Sequence, residues 1–317
     1  MTVLDWLLDS DPSIRWQVMR DLVNEPAEVV AAERSRVATE GWGARLLSLQ
    51  APDGHWGGET YDSFYISTHF TLLLLRDLGL DPTGEQARRA VDLIRDNVRF
   101  QWTETDIRPF FEGEIETCIN GMVLAMGSYF GVPSSALVDR LLDEQLEDGG
   151  WNCWAGEAWP DEETDRSSFN TTIGVLDGLL EYERTAGVDP VIGDSRSRGE
   201  EYLLERRMFR RRSTGEVIKE DWLRFSFPPR WRYDLLRGLD YLRSAGVEPD
   251  DRATEAIELV LAKRDDDGRW RREPLRDSPT WDREGKDHFD MEEGEGAPSR
   301  WNTLRALRVL NWAGRSG

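Results

Sequence analysis

An all-α toroid of about twelve helices in two concentric rings is the fold that the sequence predicts. Three observations carry this expectation. One turn recurs three times along the chain, at Gln50-Ala51-Pro52-Asp53-Gly54-His55-Trp56, Gln145-Leu146-Glu147-Asp148-Gly149-Gly150-Trp151 and Arg264-Asp265-Asp266-Asp267-Gly268-Arg269-Trp270. Before each turn runs a helix with one polar face, and after it one that is apolar nearly all round. Sustained alternation of β-branched and polar residues is almost absent, which leaves little material for a sheet.

In chain order, Ile14 to Val23 and Pro26 to Ala38 read as a helical pair ahead of the first turn, within residues 1–40. Residues 41–317 then read as five helical-pair units, and the chain is expected to form a single domain. The expected outer helices are Ala87 to Val98, Ala136 to Leu146, Glu200 to Phe209 and Ala253 to Ala262. The expected inner helices are Phe64 to Leu78, Cys118 to Phe130, Thr172 to Tyr182, Tyr233 to Leu242 and Trp301 to Trp312. Gly54 and Gly149 lie about two helical pairs apart, so a degenerate turn is expected near Gln101-Trp102, and Ser213 to Val217 fills the corresponding later slot. In each clear copy Asp-Gly permits a left-handed backbone, and the tryptophan folds back as a plug. Closure into a ring is expected because the inner helices are too apolar to line an exposed concave face.

Composition narrows the functional classes. The formal net charge is -21, and the acids are scattered along helices, so a phosphate backbone would be repelled and nucleic acid is not expected as a partner. Fourteen tryptophans and 39% hydrophobic residues supply a packed core, which argues against disorder. Lys219, Lys263 and Lys286 are the only lysines, whereas arginine is abundant. No apolar stretch approaches the roughly 18 residues of a membrane span, and the first residues carry no basic and apolar leader pattern, so a cytoplasmic protein is expected. Cys118 and Cys153, the only cysteines, read as buried free thiols.

The Gln-x-x-Asp-Gly-x-Trp pattern resembles the QW motif of squalene-hopene cyclases and their relatives, shared with protein prenyltransferase β-subunits. The resemblance implies an α/α toroid with an apolar isoprenoid-type substrate, a small molecule or lipid, in its central cavity. Two departures separate this chain from both activities. Class II cyclases protonate an alkene with a DxDD acid, and no DxDD is present; Asp265-Asp266-Asp267 has another spacing and reads as turn chemistry. Prenyltransferases hold zinc with an Asp-x-Cys pair and a histidine, but here Asp148 is followed by Gly150 in the cysteine position, and Asn170 stands in place of the histidine. No cofactor is therefore expected. The remaining zinc set would combine Cys118 and Cys153 with His288 or His69, thiolate and imidazole being suitable ligands.

Candidate site residues cluster just before and at the start of each inner helix, where free backbone N–H groups also favour anions. The first unit offers Asp62, Tyr65 and His69. Glu116, Glu295 and Asp165 are the candidate catalytic carboxylates, with general-acid and helix-capping roles both open for Glu116 and Glu295. Tyr65, Phe169, Arg230, Trp231, Tyr233, Arg300 and Trp301 are candidate substrate contacts, since aromatics and guanidinium groups can stabilise a carbocation or hold a diphosphate. The loop from Asp287 to Gly296 gathers acids beside His288. Three functions stand open: a cyclase- or transferase-like enzyme of isoprenoids, a non-catalytic binding protein on the same scaffold, and a carbohydrate-active toroid using paired carboxylates.

Overall fold

A computed structural model describes residues 1–58, 60–61, 65–101, 103–114, 116–155, 164–273 and 287–315. The chain runs through α1 (Val3–Leu8), α2 (Pro12–Val18), α3 (Ala27–Ser35), α4 (Gly41–Ser48), α5 (Thr68–Leu78) and α6 (Glu85–Asn97). It continues through α7 (Thr117–Tyr129), α8 (Ser135–Asp143), α9 (Phe169–Ala186), α10 (Pro190–Glu205), α11 (Leu235–Ser244), α12 (Thr254–Ala262) and α13 (Arg300–Trp312). The inner ring is α2, α5, α7, α9, α11 and α13, and all six contribute side chains to one central chamber. The remaining helices pack on the outside of this ring, so the architecture is an α/α toroid.

Burial separates the two rings as the sequence pattern predicts. In α6 only Ala87, Ala90, Val91 and Ile94 are buried, a single stripe at three-to-four spacing. In α7 every residue from Ile119 to Ser128 is buried. The tightest seam in the ring joins α7 to α9, where a Cβ on Gly121 would lie 2.6 Å from the Gly174 carbonyl oxygen and one on Gly178 would lie 2.4 Å from that of Gly121. No other residue type fits that approach. The ring closes where α13 meets α2, with the Arg308 guanidinium donating to Gln17 Oε1 at 2.7 Å, and where α2 meets α5, with the Trp16 indole donating to the Leu78 carbonyl at 2.9 Å.

Each clear turn ties an outer helix to the next inner one by the same bonds. The indole N–H of Trp56, Trp151 and Trp270 donates to the carbonyl ten residues earlier, at 2.7, 2.6 and 2.7 Å. Their backbone N–H groups donate to Thr68, Thr172 and Thr303 at 2.9, 3.0 and 3.0 Å, in the first turn of α5 or one turn into α9 and α13. Gly149 has φ of +94°, a conformation that an L side chain strains to adopt. Gln50 and Gln145 donate to the turn glycine carbonyls at 2.9 and 2.7 Å. Asp265 accepts from the N–H groups of Asp267 and Arg269, so the Asp265-Asp266-Asp267 run does serve the turn.

The two degenerate slots are built differently. Near the first, Arg99–Gln101 (β1) pairs antiparallel with Ile107–Pro109 (β2), while Trp102 lies outside the described residues. At the second, Arg210 and Val217 form an isolated antiparallel bridge. Short hairpins replace the turn there because neither slot offers the Asp-Gly pair. Helix α5 opens at Thr68, with Ser67 as its N-cap, later than expected; Asp62 and Phe64 lie outside the described residues. Helix α10 opens earlier than expected, at Pro190, because Asp189 accepts from the Val191 N–H and Pro190 takes the first helical position.

His69 has a consequence for stability. It is fully buried on α5 among Tyr61, Phe70 and Phe110, and among the described residues neither ring nitrogen has a hydrogen-bond partner. Burial, aided by the charge of Arg76, pulls its pKa down to about 3. A base whose folded pKa is depressed contributes stability that is complete above its unfolded pKa of about 6.5 and is lost as pH falls toward the folded value. Between pH 7 and pH 5 the protein should therefore lose about 2 kcal/mol through this residue. In urea melts across that range His69→Leu should remove this share of the slope, leaving those of His288, which burial also lowers, and of the carboxyls that burial raises, which act the opposite way. An equally steep slope in the variant would rule this source out.

Candidate functional site: the central chamber

The chamber has a volume of about 630 Å³ and two tiers. Near the N-terminal ends of the inner helices it is aromatic. Phe227 stacks on Trp301 with centroids 3.8 Å apart and planes at 11°, and Tyr65 meets Phe70 edge-on at 5.1 Å. Arg230, in the left-handed region at φ +54°, lays its guanidinium 3.3 Å from the Tyr65 centroid and pairs with Asp287. Leu74, Met122 and Leu180 extend the apolar wall.

Toward the C-terminal ends the wall is a lattice of ion pairs. Asp21 pairs with both Arg20 and Arg308, Arg76 with Asp77 at 2.8 Å, Arg237 with Asp177 at 2.6 Å, and Arg243 with Asp240 at 2.7 Å. Glu181 lies 3.6 Å from Arg184. Burial alone would raise Asp21 and Asp240, but the surrounding arginines reverse this and hold both below the usual carboxylate range. Arg34 pairs with no carboxylate among the described residues and donates to the Gly79 carbonyl and the Tyr129 hydroxyl, each at 2.8 Å. Arg308 is only 6% exposed, and its Nε lacks a hydrogen-bond partner. Among the described residues nine arginines face the chamber against five carboxylates, while Asp234 and Asp287 pair with Arg305 and Arg230 from outside the lining, so guanidinium still exceeds carboxylate within a chain of net charge -21.

The mouth of the chamber holds residues singled out in the sequence, and the floor holds others. Tyr65, Arg230 and Trp301 line the chamber, and the Trp231 indole donates to the Tyr65 hydroxyl at 3.2 Å from just behind it. Phe169 and Tyr233 do not line it; they form a buried aromatic knot with Tyr202 and Trp222, and the Tyr233 hydroxyl donates to the Met208 carbonyl at 2.6 Å. Arg300 faces a separate groove and lies over the Trp6 ring at 4.8 Å. The chamber lining is both aromatic and charged. The overlooked signal was charge at helical spacing on helices that otherwise read as core: Arg305 and Arg308, Arg237 and Asp240, and Asp177, Glu181 and Arg184.

The candidate carboxylates disperse. Glu295 sits on an exposed stretch and Asp165 has a side chain 96% exposed, and neither is among the residues that line the chamber. Glu116 is half-buried at the N-cap of α7, where burial raises its pKa, but it belongs to a cluster with the two cysteines outside the chamber lining. The metal set combining both cysteines with His288 is also corrected. His288 is hydrogen-bonded to Thr71 at 2.8 Å, while Cys118 and Cys153 gather around Glu116. The acidic loop after Asp287 is a strap: Phe289 lies under Arg45, Asp290 lies 3.7 Å from Arg272, and Glu292 accepts from the Arg300 and Trp301 N–H groups.

No family model and no curated protein matches the chain. Over nearly its whole length the chain is similar to a solved type II terpene cyclase. The enzyme is MstE from Scytonema in its apo form, 18% identical with a TM-score of 0.44, the match covering 97% of this chain and 89% of that one. A variant of the same enzyme in complex with geranylgeranyl dihydroxybenzoate is 17% identical with a TM-score of 0.43, covering 96% and 87%. Another, with merosterolic acid A, is 17% identical with a TM-score of 0.44, covering 97% and 88%. At these scores the likeness adds nothing to the ring, which rests on the contacts within this chain. Among the described residues no helix is long and apolar enough to cross a membrane.

Proposed function

We propose that the central chamber binds an amphipathic anion, with an isoprenoid-type apolar body against the aromatic mouth and its acidic head among the arginines below. The observation that carries this reading is the two-tier lining: Tyr65, Phe70, Phe227 and Trp301 at one end, and a surplus of guanidinium over carboxylate at the other. Guanidinium forks suit phosphate and carboxylate heads, and a buried donor such as Arg308 Nε gains most from an acceptor that a ligand brings.

A binding role is favoured over proton donation to an alkene. Each of the five carboxylates facing the chamber is engaged by an arginine, and Asp21 and Asp240 are held below the usual carboxylate range. The same pairing leaves no free carboxylate couple for sugar hydrolysis in the chamber.

Calorimetry with farnesyl diphosphate, farnesol and inorganic diphosphate tests both tiers. The intact amphiphile should bind more tightly than either part. Arg308→Met should weaken it about tenfold to hundredfold, the value of a lost charged hydrogen bond, in a protein whose circular dichroism is unchanged. Equal affinity for farnesol would remove the anion from the reading, and equal affinity for inorganic diphosphate would remove the apolar body.

A further inference from the structure

We infer that Cys118, Cys153 and Glu116 form a binding site for a thiophilic divalent cation of the zinc type at the rim of the chamber. The chain has only two cysteines in 317 residues, 35 positions apart, and the fold brings both to one place. The Cys118 backbone N–H donates to Cys153 Sγ at 3.2 Å, and the Cys118 thiol reaches Glu116 Oε2 at 3.7 Å. Cys153 Sγ also lies 3.4 Å from the Thr171 hydroxyl. The two sulfurs and the carboxylate each present a ligand atom within 4.8 Å of the others. Zinc–sulfur bonds of about 2.3 Å and zinc–oxygen bonds of about 2.0–2.2 Å put ligand atoms a little under 4 Å apart, so binding needs about 1 Å of side-chain contraction.

A second carboxylate stands beside the cluster, where Glu114 accepts from the Glu116 N–H. Cation binding releases the protons of both thiols and leaves two thiolates and one carboxylate around a doubly charged ion, with a fourth position for an outside ligand. Cys118 and Glu116 are only half-buried, which gives the ion a path in.

This is a different ligand set from the one that the family resemblance implies. Asp148 accepts from Ser167 and Arg206, and Asn170 Oδ1 accepts from the Tyr233 N–H at 2.8 Å, so both of those positions are committed to structure. The site also has an address in the fold. Cys118 stands one turn above Met122 on α7, and Thr171 one turn above Gly174 on α9, and both Met122 and Gly174 line the chamber.

The test uses the full chain, chelator-stripped under a thiol-free reductant and titrated with Co²⁺ and then Zn²⁺. One equivalent of Co²⁺ should produce a thiolate-to-cobalt charge-transfer band in the near ultraviolet, which one equivalent of Zn²⁺ abolishes. Cys118→Ser and Cys153→Ser should each remove the two-thiolate band while melting within a few degrees of the parent. Glu116→Gln should lower the affinity and leave a thiolate band. A cobalt band that survives in the serine variants, or no band in the parent, would overturn the inference. So would a reduced parent that takes up no metal but joins its two thiols when exposed to a disulfide oxidant, since that outcome makes the pair a redox couple.

Discussion

Trp151→Ala should destabilise the protein by about 3–5 kcal/mol, the cost of emptying a fully buried aromatic site. Trp151 has no exposed surface, and a Cβ on Gly199 would already lie only 2.8 Å from its ring. Truncation opens a cavity between α8, α9 and α10 and strips the Leu141 carbonyl of its donor at the end of α8. Trp151→Phe separates the two costs, keeping most of the volume and losing the bond, for about 1–3 kcal/mol. Trp154, three residues on and 54% exposed, is the control: its alanine variant should stay within about 0.5 kcal/mol of the parent. Urea midpoints at constant slope measure all three, and similar shifts at Trp151 and Trp154 would contradict the role of the turn as a plug.

Asp21→Ala should cost about 3–5 kcal/mol for a different reason. It leaves the Arg308 guanidinium without its carboxylate in a site where that side chain is 6% exposed, and an uncompensated buried charge is expensive. Adding Arg308→Met to Asp21→Ala should recover most of the loss, because the charge that needed a partner is gone. The coupling between the two positions is the quantity to measure, by a double-mutant cycle in urea. Additive losses would mean that the pair does not hold α13 to α2. The pH dependence follows with its own sign. The folded pKa values of Asp21 and Asp240 lie below their unfolded ones, so their contribution is present above the ordinary carboxylate range and is lost as pH falls through the folded values. Glu114, Glu116, Glu292 and Asp234, all raised by burial, act in the opposite direction.

The ring was legible because its joints are local. Asp-Gly and a tryptophan a few residues away write the turn into a short stretch, and the threonine that receives the tryptophan N–H lies at or just after the start of the next helix. The chamber was legible only at its mouth, where Tyr65, Arg230 and Trp301 sit beside turn residues. Its floor was hidden by treating the inner helices as uniform core. Arg305 and Arg308 share one face of α13, and a buried face with two guanidinium groups requires carboxylate partners or a cavity; here Asp234 and Asp21 supply the partners and both arginines also line the chamber. The cysteine cluster carried no local signal at all. Cys118 is at the start of α7 and Cys153 follows the Trp151 turn, where its sulfur accepts from the Cys118 N–H and lies beside the Thr171 hydroxyl, so the fold and not either cysteine's sequence neighbourhood brings them together.

The glycine seam divides the ring mechanically. Between α7 and α9 the backbones themselves touch, and no change of ionic strength or protonation can loosen a contact made by peptide groups. Between α9 and α11, by contrast, the bridging bonds include side-chain links: Arg237 to Asp177, Arg184 to the Ser244 hydroxyl, and Asn170 to the Tyr233 N–H. One arc is therefore stiff, and its neighbour is held by clasps that salt can weaken and a charged guest can rearrange. An anion that competes for Arg237 would release Asp177 at the same stroke, so admission of a guest and relaxation of the wall around it become a single event.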